Sequence, residues 1–77
     1  MSESIELSPT PMSVAEARRW SGEVLERVGA TEVADTMTLL VSELVSNVVE
    51  HARTPCSLRI SRAERMVRVE VADGSDL

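Results

Sequence analysis

The chain has 77 residues, of which 43% are apolar and only one is aromatic, and its formal net charge is −5. A chain of this length forms one small domain at most. Its acidic charge argues against a surface that follows the phosphates of DNA or RNA, and one aromatic ring cannot stack a row of bases. A lone cysteine excludes an internal disulfide, and there is no apolar run of about 18 residues to span a membrane. We therefore expect a cytoplasmic protein without a signal peptide, a membrane span or direct contact with nucleic acid.

The first segment of the chain carries turn-forming residues. Pro9 and Pro11 block a helix before Ser13. We therefore predict a flexible leader over residues 1–12 and a folded domain over residues 13–77.

The first predicted helix covers residues 14–28. Ser13 and Glu16 have the spacing of a capping box, and apolar residues recur behind them at helical spacing. Gly29 fits the position just after the helix. Trp20, the one large ring on this amphipathic helix, is expected to be half-buried.

The second predicted helix covers residues 32–52. Thr31 is placed to cap its start, and Thr54-Pro55 ends it. Its apolar residues form a broad face that a sheet must cover, and they are Val33, Met37, Leu40, Val41, Leu44, Val45, Val48 and Ala52.

Two strands follow, predicted over residues 56–62 and 66–73. In both, apolar residues alternate with polar ones, and Glu64-Arg65 separates them. The fold class is therefore α+β, with two helices on one face of an antiparallel β-hairpin. The outer edge of the last strand has no predicted partner, which invites association with another chain and a possible homodimer.

The second helix also carries a polar stripe. Glu43, Ser46, Asn47 and Glu50 fall on one face, with His51 at its margin. An exposed polar face of an amphipathic helix explains this pattern without any chemistry. The alternative is a site in which a carboxylate takes a proton, an amide oxygen binds a hard cation such as Mg²⁺ and an imidazole faces phosphate.

A second candidate lies at the end of the last strand. Asp73 is in phase with Val69 and Val71, so its carboxylate falls on the side predicted to be buried. Either the strand ends there in an Asp-Gly turn, or Asp73 accepts a hydrogen bond from a ligand that Gly74 allows close to the backbone. In the second case Asp73 should face the same cavity as Glu43 and Asn47.

Four arginines lie close together in the second half of the chain. A solvated sheet face and hairpin turn explain them, and the alternative is a basic patch for an acidic partner. The four are Arg59, Arg62, Arg65 and Arg68.

The segment Leu40-Val-Ser-Glu-Leu-Val-Ser-Asn-Val-Val-Glu-His-Ala, followed by Val69-Glu-Val-Ala-Asp-Gly-Ser, resembles the GHKL ATPase family. The likeness is to the anti-sigma factor serine/threonine kinases more than to the sensor histidine kinases. It covers residues 13–77. It implies the N-terminal half of a Bergerat-fold α/β sandwich, with ATP bound between the helix layer and the loops.

The resemblance also implies roles for individual residues. Glu43 would be the general base toward a serine hydroxyl of a substrate protein, and Asn47 would bind the Mg²⁺ that bridges the phosphates of ATP. Asp73 would accept a hydrogen bond from the adenine amino group, and His51 would lie near the phosphates. Gly74 and Ser75 would belong to the same nucleotide-binding box. The implied partners are a sigma factor and an anti-anti-sigma antagonist protein.

The chain departs from the family pattern in two ways. Ser75 stands where the first glycine box has a glycine, and the sequence up to Leu77 contains neither the lid over the phosphates nor the second glycine box. Whether the chain acts as an enzyme is therefore open at this point. The alternative is a catalytically inactive interaction module that associates through its helix pair and its free sheet edge.

Overall fold

The computed structural model describes residues 1–73, which form two helices packed on one face of a three-stranded antiparallel sheet. The α+β class and the one-sided packing of the helices are as predicted. The strands are β1 (Ser2–Leu7), β2 (Cys56–Ala63) and β3 (Met66–Asp73), and the helices are α1 (Met12–Arg27) and α2 (Ala34–Asn47). The strand order is β1-β2-β3, so β2 lies at the centre of the sheet.

The first strand corrects the prediction of a flexible leader over residues 1–12. It pairs antiparallel with β2 along its whole length, with Leu7 opposite Cys56. Leu7 is only 2% exposed, and Ile5 packs against the same core. The burial of these side chains and the ladder of backbone hydrogen bonds offset the entropy lost when the segment is ordered.

An ion pair ties β1 to the last turn of α1. The Arg27 guanidinium donates two hydrogen bonds to the Glu3 carboxylate, from Nε to Oε2 at 3.0 Å and from Nη2 to Oε1 at 2.7 Å. The hydrogen bonds and the charge of Arg27 hold the pKa of Glu3 below its ordinary value, against an opposing effect of desolvation. The pair lies at the surface, so its contribution to the stability of the fold is small.

Both helices begin differently from the prediction. Ser13 lies inside the first turn of α1, and its buried hydroxyl donates to the Ser8 carbonyl oxygen at 2.5 Å, so it does not form a capping box with Glu16. A 3₁₀ turn at Thr31–Val33 precedes α2, and no side chain caps the α-helix that follows. In both places local backbone and tertiary packing replaced the side-chain cap suggested by the sequence.

The end of α1 has the geometry predicted from its glycine. Gly29 has φ of 74° and its N–H donates to the Glu26 carbonyl at 3.1 Å, while the Ala30 N–H donates to the Leu25 carbonyl at 2.8 Å. These two bonds form a Schellman motif.

The core lies between the helices and the sheet in two clusters, and half-buried Trp20 packs against both of them. The first contains Leu7, Ala17, Val41, Val45, Val48, Cys56 and Leu58, and the second contains Val24, Leu25, Val28, Ala30 and Ile60. Leu40, predicted to be covered, is 42% exposed, and its neighbour Leu39 is 62% exposed. The sheet therefore covers only part of the broad apolar face of α2.

The β2–β3 hairpin forms as predicted, and its register runs from Ala63 opposite Met66 to Cys56 opposite Asp73. Within residues 1–73, no strand pairs with the outer edge of β3. None of the helices in this part of the chain has the length and apolar content needed to cross a bilayer.

Candidate functional site

Glu43 and Asn47 lie one turn apart on α2, and both side chains are exposed. The orientation of the helix is set by Val41 and Val45, which are fully buried against the core. Because these two residues face inward, the α-helical repeat directs Glu43 and Asn47 outward together. The acid and the amide are thus presented on one solvent-facing surface, as predicted.

The two side chains line an open depression of about 450 Å³. Ser42, Ser46 and Val14 of α1 complete its walls. The Ser42 hydroxyl donates to the Thr38 carbonyl oxygen at 3.0 Å, so it is held back against its own helix. The predicted polar stripe includes neither Ser42 nor Val14, and the contribution of Val14 depends on how α1 packs beside α2.

His51 lies in a different kind of backbone from Glu43 and Asn47. Directly after Asn47 the chain makes a π-helical turn, Val48–Ala52, in which the Arg53 N–H donates to the Val48 carbonyl oxygen at 2.9 Å. The wider turn changes the angular position of every later side chain relative to an α-helix. His51 is exposed but is not among the residues that line the depression around Glu43 and Asn47.

Asp73 ends β3 on the side predicted from the alternation of the strand. It is half-buried, in phase with Val69 and Val71, and opposite Cys56 in the register of the sheet. Burial raises the pKa of the Cys56 thiol, and the negative charges of Asp73 and Glu6 add to this effect. The thiol is therefore a protonated packing group with little nucleophilic character.

The predicted common cavity for Asp73, Glu43 and Asn47 is not present in the described residues. Asp73 lines a separate depression of about 250 Å³ at the end of the sheet, formed with Glu6, Pro55, Cys56, Ser57 and Ala72. Apolar residues of the π-helical turn pack in the same core cluster as Val71. Gly74 and Ser75 lie outside the described residues.

The few oxygen donors around Glu43 fit a cation that takes most of its ligands from phosphates and water. No group of three or more histidine, cysteine or acidic side chains that could cage a metal occurs within residues 1–73. Mg²⁺ is commonly held by one or two protein oxygens, with phosphates and water supplying the rest. The Asn47 amide oxygen, exposed on the same helix face as the Glu43 carboxylate, can supply one such oxygen.

Comparison with known proteins gives one family. No curated protein matches the chain at a significant level. A family model described as a histidine kinase-like ATPase domain matches residues 7–77, which is all but the first six residues. The match includes the helix that carries Glu43 and Asn47 and the strand that ends at Asp73. The chain therefore belongs to the family of histidine kinase-like ATPase domains.

Proposed function

We propose that this chain is the ATP-binding part of a regulatory kinase of the anti-sigma factor type. The observation that carries the proposal is the pair Glu43 and Asn47, exposed one turn apart in a shared depression, in a chain of this ATPase family. At this spacing a carboxylate can accept a proton and an amide oxygen can bind the metal ion at one phosphate site. A helix face that only meets solvent has no need of this combination.

The nucleotide would extend over both depressions. The proposal requires one ATP molecule to reach both, with its phosphates at Glu43 and Asn47 and its adenine at Asp73. Asn47 would hold Mg²⁺ through its amide oxygen, and Asp73 would accept the hydrogen bond of the adenine amino group. His51 would lie near the phosphates, and Gly74 and Ser75 would approach the nucleotide through their backbone.

Phosphotransfer would go to a serine or threonine of an antagonist protein. Glu43 would accept the hydroxyl proton as that oxygen bonds to the γ-phosphorus and the bond from phosphorus to the leaving ADP oxygen breaks. Mg²⁺, when bound, neutralises charge on the phosphates. The regulated partner would be a sigma factor, whose release depends on the phosphorylation state of the antagonist.

Calorimetric titration of the full chain with Mg-ATP tests this proposal. We expect binding by the wild type, weakened more than about tenfold by Asn47→Ala because a metal ligand is lost. Asp73→Asn should reduce the preference for ATP over GTP. Glu43→Gln should leave binding largely intact while lowering transfer, and Glu50→Gln, the same change on an exposed neighbouring residue, is the matched control. An absence of binding heat up to millimolar Mg-ATP contradicts the proposal.

A second candidate function is an interaction module without nucleotide chemistry. It is favoured by the unpaired outer edge of β3 within residues 1–73 and by exposed Leu39 and Leu40 on α2. Sedimentation equilibrium tests it: a homodimer that forms without nucleotide and is lost in Val69→Pro supports it. A monomer at all concentrations argues against self-association.

A further inference from the structure

A third cavity, with polar and apolar walls, lies at the hairpin end of the molecule. It has a volume of about 270 Å³ and lies between the start of α2 and the β2–β3 hairpin. Val33, Met37 and Val67 supply apolar surface, and Thr36, Arg62 and Arg65 supply polar groups. Val67 precedes Asp73 by six residues on β3, or about 20 Å along the strand. This cavity is therefore distinct from the proposed nucleotide site.

The sheet divides the four clustered arginines between its two faces. Arg62 lies on the helix-facing side of β2 and, with Arg65 from the turn, lines the cavity. Arg59 and Arg68 alternate to the opposite, exposed face, where Arg59 is directly across from Glu70. The basic patch suggested by the sequence is thus reduced to two arginines beside an apolar floor.

Arg62 is held in place before any ligand binds. Its Nη1 donates to the Val28 carbonyl oxygen at 2.9 Å, and its Nε donates to the Glu64 carbonyl oxygen at 3.1 Å. A guanidinium has five N–H donors, so within the described residues these two bonds leave three for an acceptor in the cavity. An arginine already fixed in position loses less side-chain entropy when it binds a carboxylate.

The remaining wall limits which anions the cavity accepts. Glu32 lines the cavity as well, and its carboxylate repels any negative charge that a ligand places beside it. A ligand with two negative charges is therefore disfavoured. The helix dipole at the start of α2 favours one carboxylate near Arg62 and Arg65. The walls together match one acidic group joined to one aliphatic group.

We propose that this cavity docks a segment of a partner protein in which an aliphatic side chain is adjacent to an acidic one. The aliphatic side chain lies on Val33, Met37 and Val67, and the carboxylate accepts hydrogen bonds from Arg62 and Arg65. The proposal does not depend on nucleotide binding, since none of the nucleotide residues lines the cavity.

The test is an NMR titration of the full chain with acetyl-Leu-Glu-amide, followed through the Met37 methyl signal. We expect saturable binding on the order of 1 mM, which is reasonable for so small a ligand. Acetyl-Leu-Gln-amide, acetyl-Gly-Glu-amide and acetate should each bind more weakly, because each lacks one of the two groups. Raising the salt concentration should weaken the acidic peptide further.

A matched pair of variants locates the binding. Arg65→Gln should weaken the acidic peptide about two- to fivefold, the range of an exposed ion pair. Arg68→Gln removes the same charge from the opposite face of the sheet and should leave the affinity unchanged. The absence of a Met37 shift, equal binding of the Gln peptide or of acetate, or equal effects of the two variants would overturn the proposal. The peptide comparisons use the wild type alone, so they hold whether or not a variant folds.

Discussion

Replacing Leu7 by alanine tests the finding that the first residues of the chain are part of the fold. Leu7 is 2% exposed and packs with Leu58 and Val45 in the larger core cluster. Truncation of a buried leucine to alanine costs about 2–5 kcal/mol, depending on how far the site can relax. Because Leu7 lies on an edge strand that can shift, we expect the lower part of this range, about 2–3 kcal/mol. A chain of this size has about 4–12 kcal/mol of stability in total, so the loss is a large fraction of it.

Urea and thermal unfolding, followed by circular dichroism and by the fluorescence of Trp20, measure this effect. The expected loss corresponds to a fall in Tm of about 8–24 °C for a domain of this length. Leu39→Ala is the matched control, because the same atoms are removed from a side chain that is 62% exposed. It should change the free energy of unfolding by less than about 0.5 kcal/mol. If Leu7→Ala is as mild as Leu39→Ala, β1 does not pack as described and the chain begins with a leader after all.

Three further predictions concern single side chains. The Ser21 hydroxyl is fully buried and without a hydrogen-bond partner within the described residues, so Ser21→Ala should raise the free energy of unfolding by about 1 kcal/mol in urea denaturation. Arg53 ends the π-helical turn with φ of 56°, where glycine is less strained, so Arg53→Gly should raise it by about 0.5–1 kcal/mol by the same measurement. The chain has neither tyrosine nor lysine, so Cys56 is the side chain to follow in the mildly alkaline range. Because the pKa of Cys56 is raised in the folded state, stability should fall as pH rises above the ordinary thiol pKa, and Cys56→Ala should reduce that fall; an unchanged slope contradicts the assignment.

Local patterns were sufficient to predict the helices and the hairpin. The period-two alternation of β3 also placed Asp73 on the correct side of the strand, and Gly29 correctly marked the end of α1. β1 does not follow from the sequence pattern, because its inward-facing residues include the charged Glu3 and because Pro9 and Pro11, which follow the strand, are typical of irregular segments. Glu3 is tolerated there because Arg27 pairs with it, and that contact between distant residues cannot be read from a local pattern.

Only the part of the candidate site that lies on a single helix could be predicted from the sequence. Glu43 and Asn47 lie together because both belong to a single α-helix. His51 does not line their depression and lies in a π-helical turn after Asn47, which helix propensity does not predict. Asp73 belongs to a different element and lines a different depression, and the relative placement of a helix and a strand cannot be derived from sequence spacing.

The side chain of Asn47 itself gives the most direct test of a phosphate site at Glu43 and Asn47. The chain contains one asparagine and no glutamine, so its ¹⁵N spectrum has a single pair of side-chain amide signals, which belong to Asn47. We expect these signals to shift on addition of Mg-ATP and to broaden when Mn²⁺ replaces Mg²⁺, because the metal would be bound by that amide. Signals that neither shift nor broaden at millimolar nucleotide would contradict a phosphate site at Glu43 and Asn47.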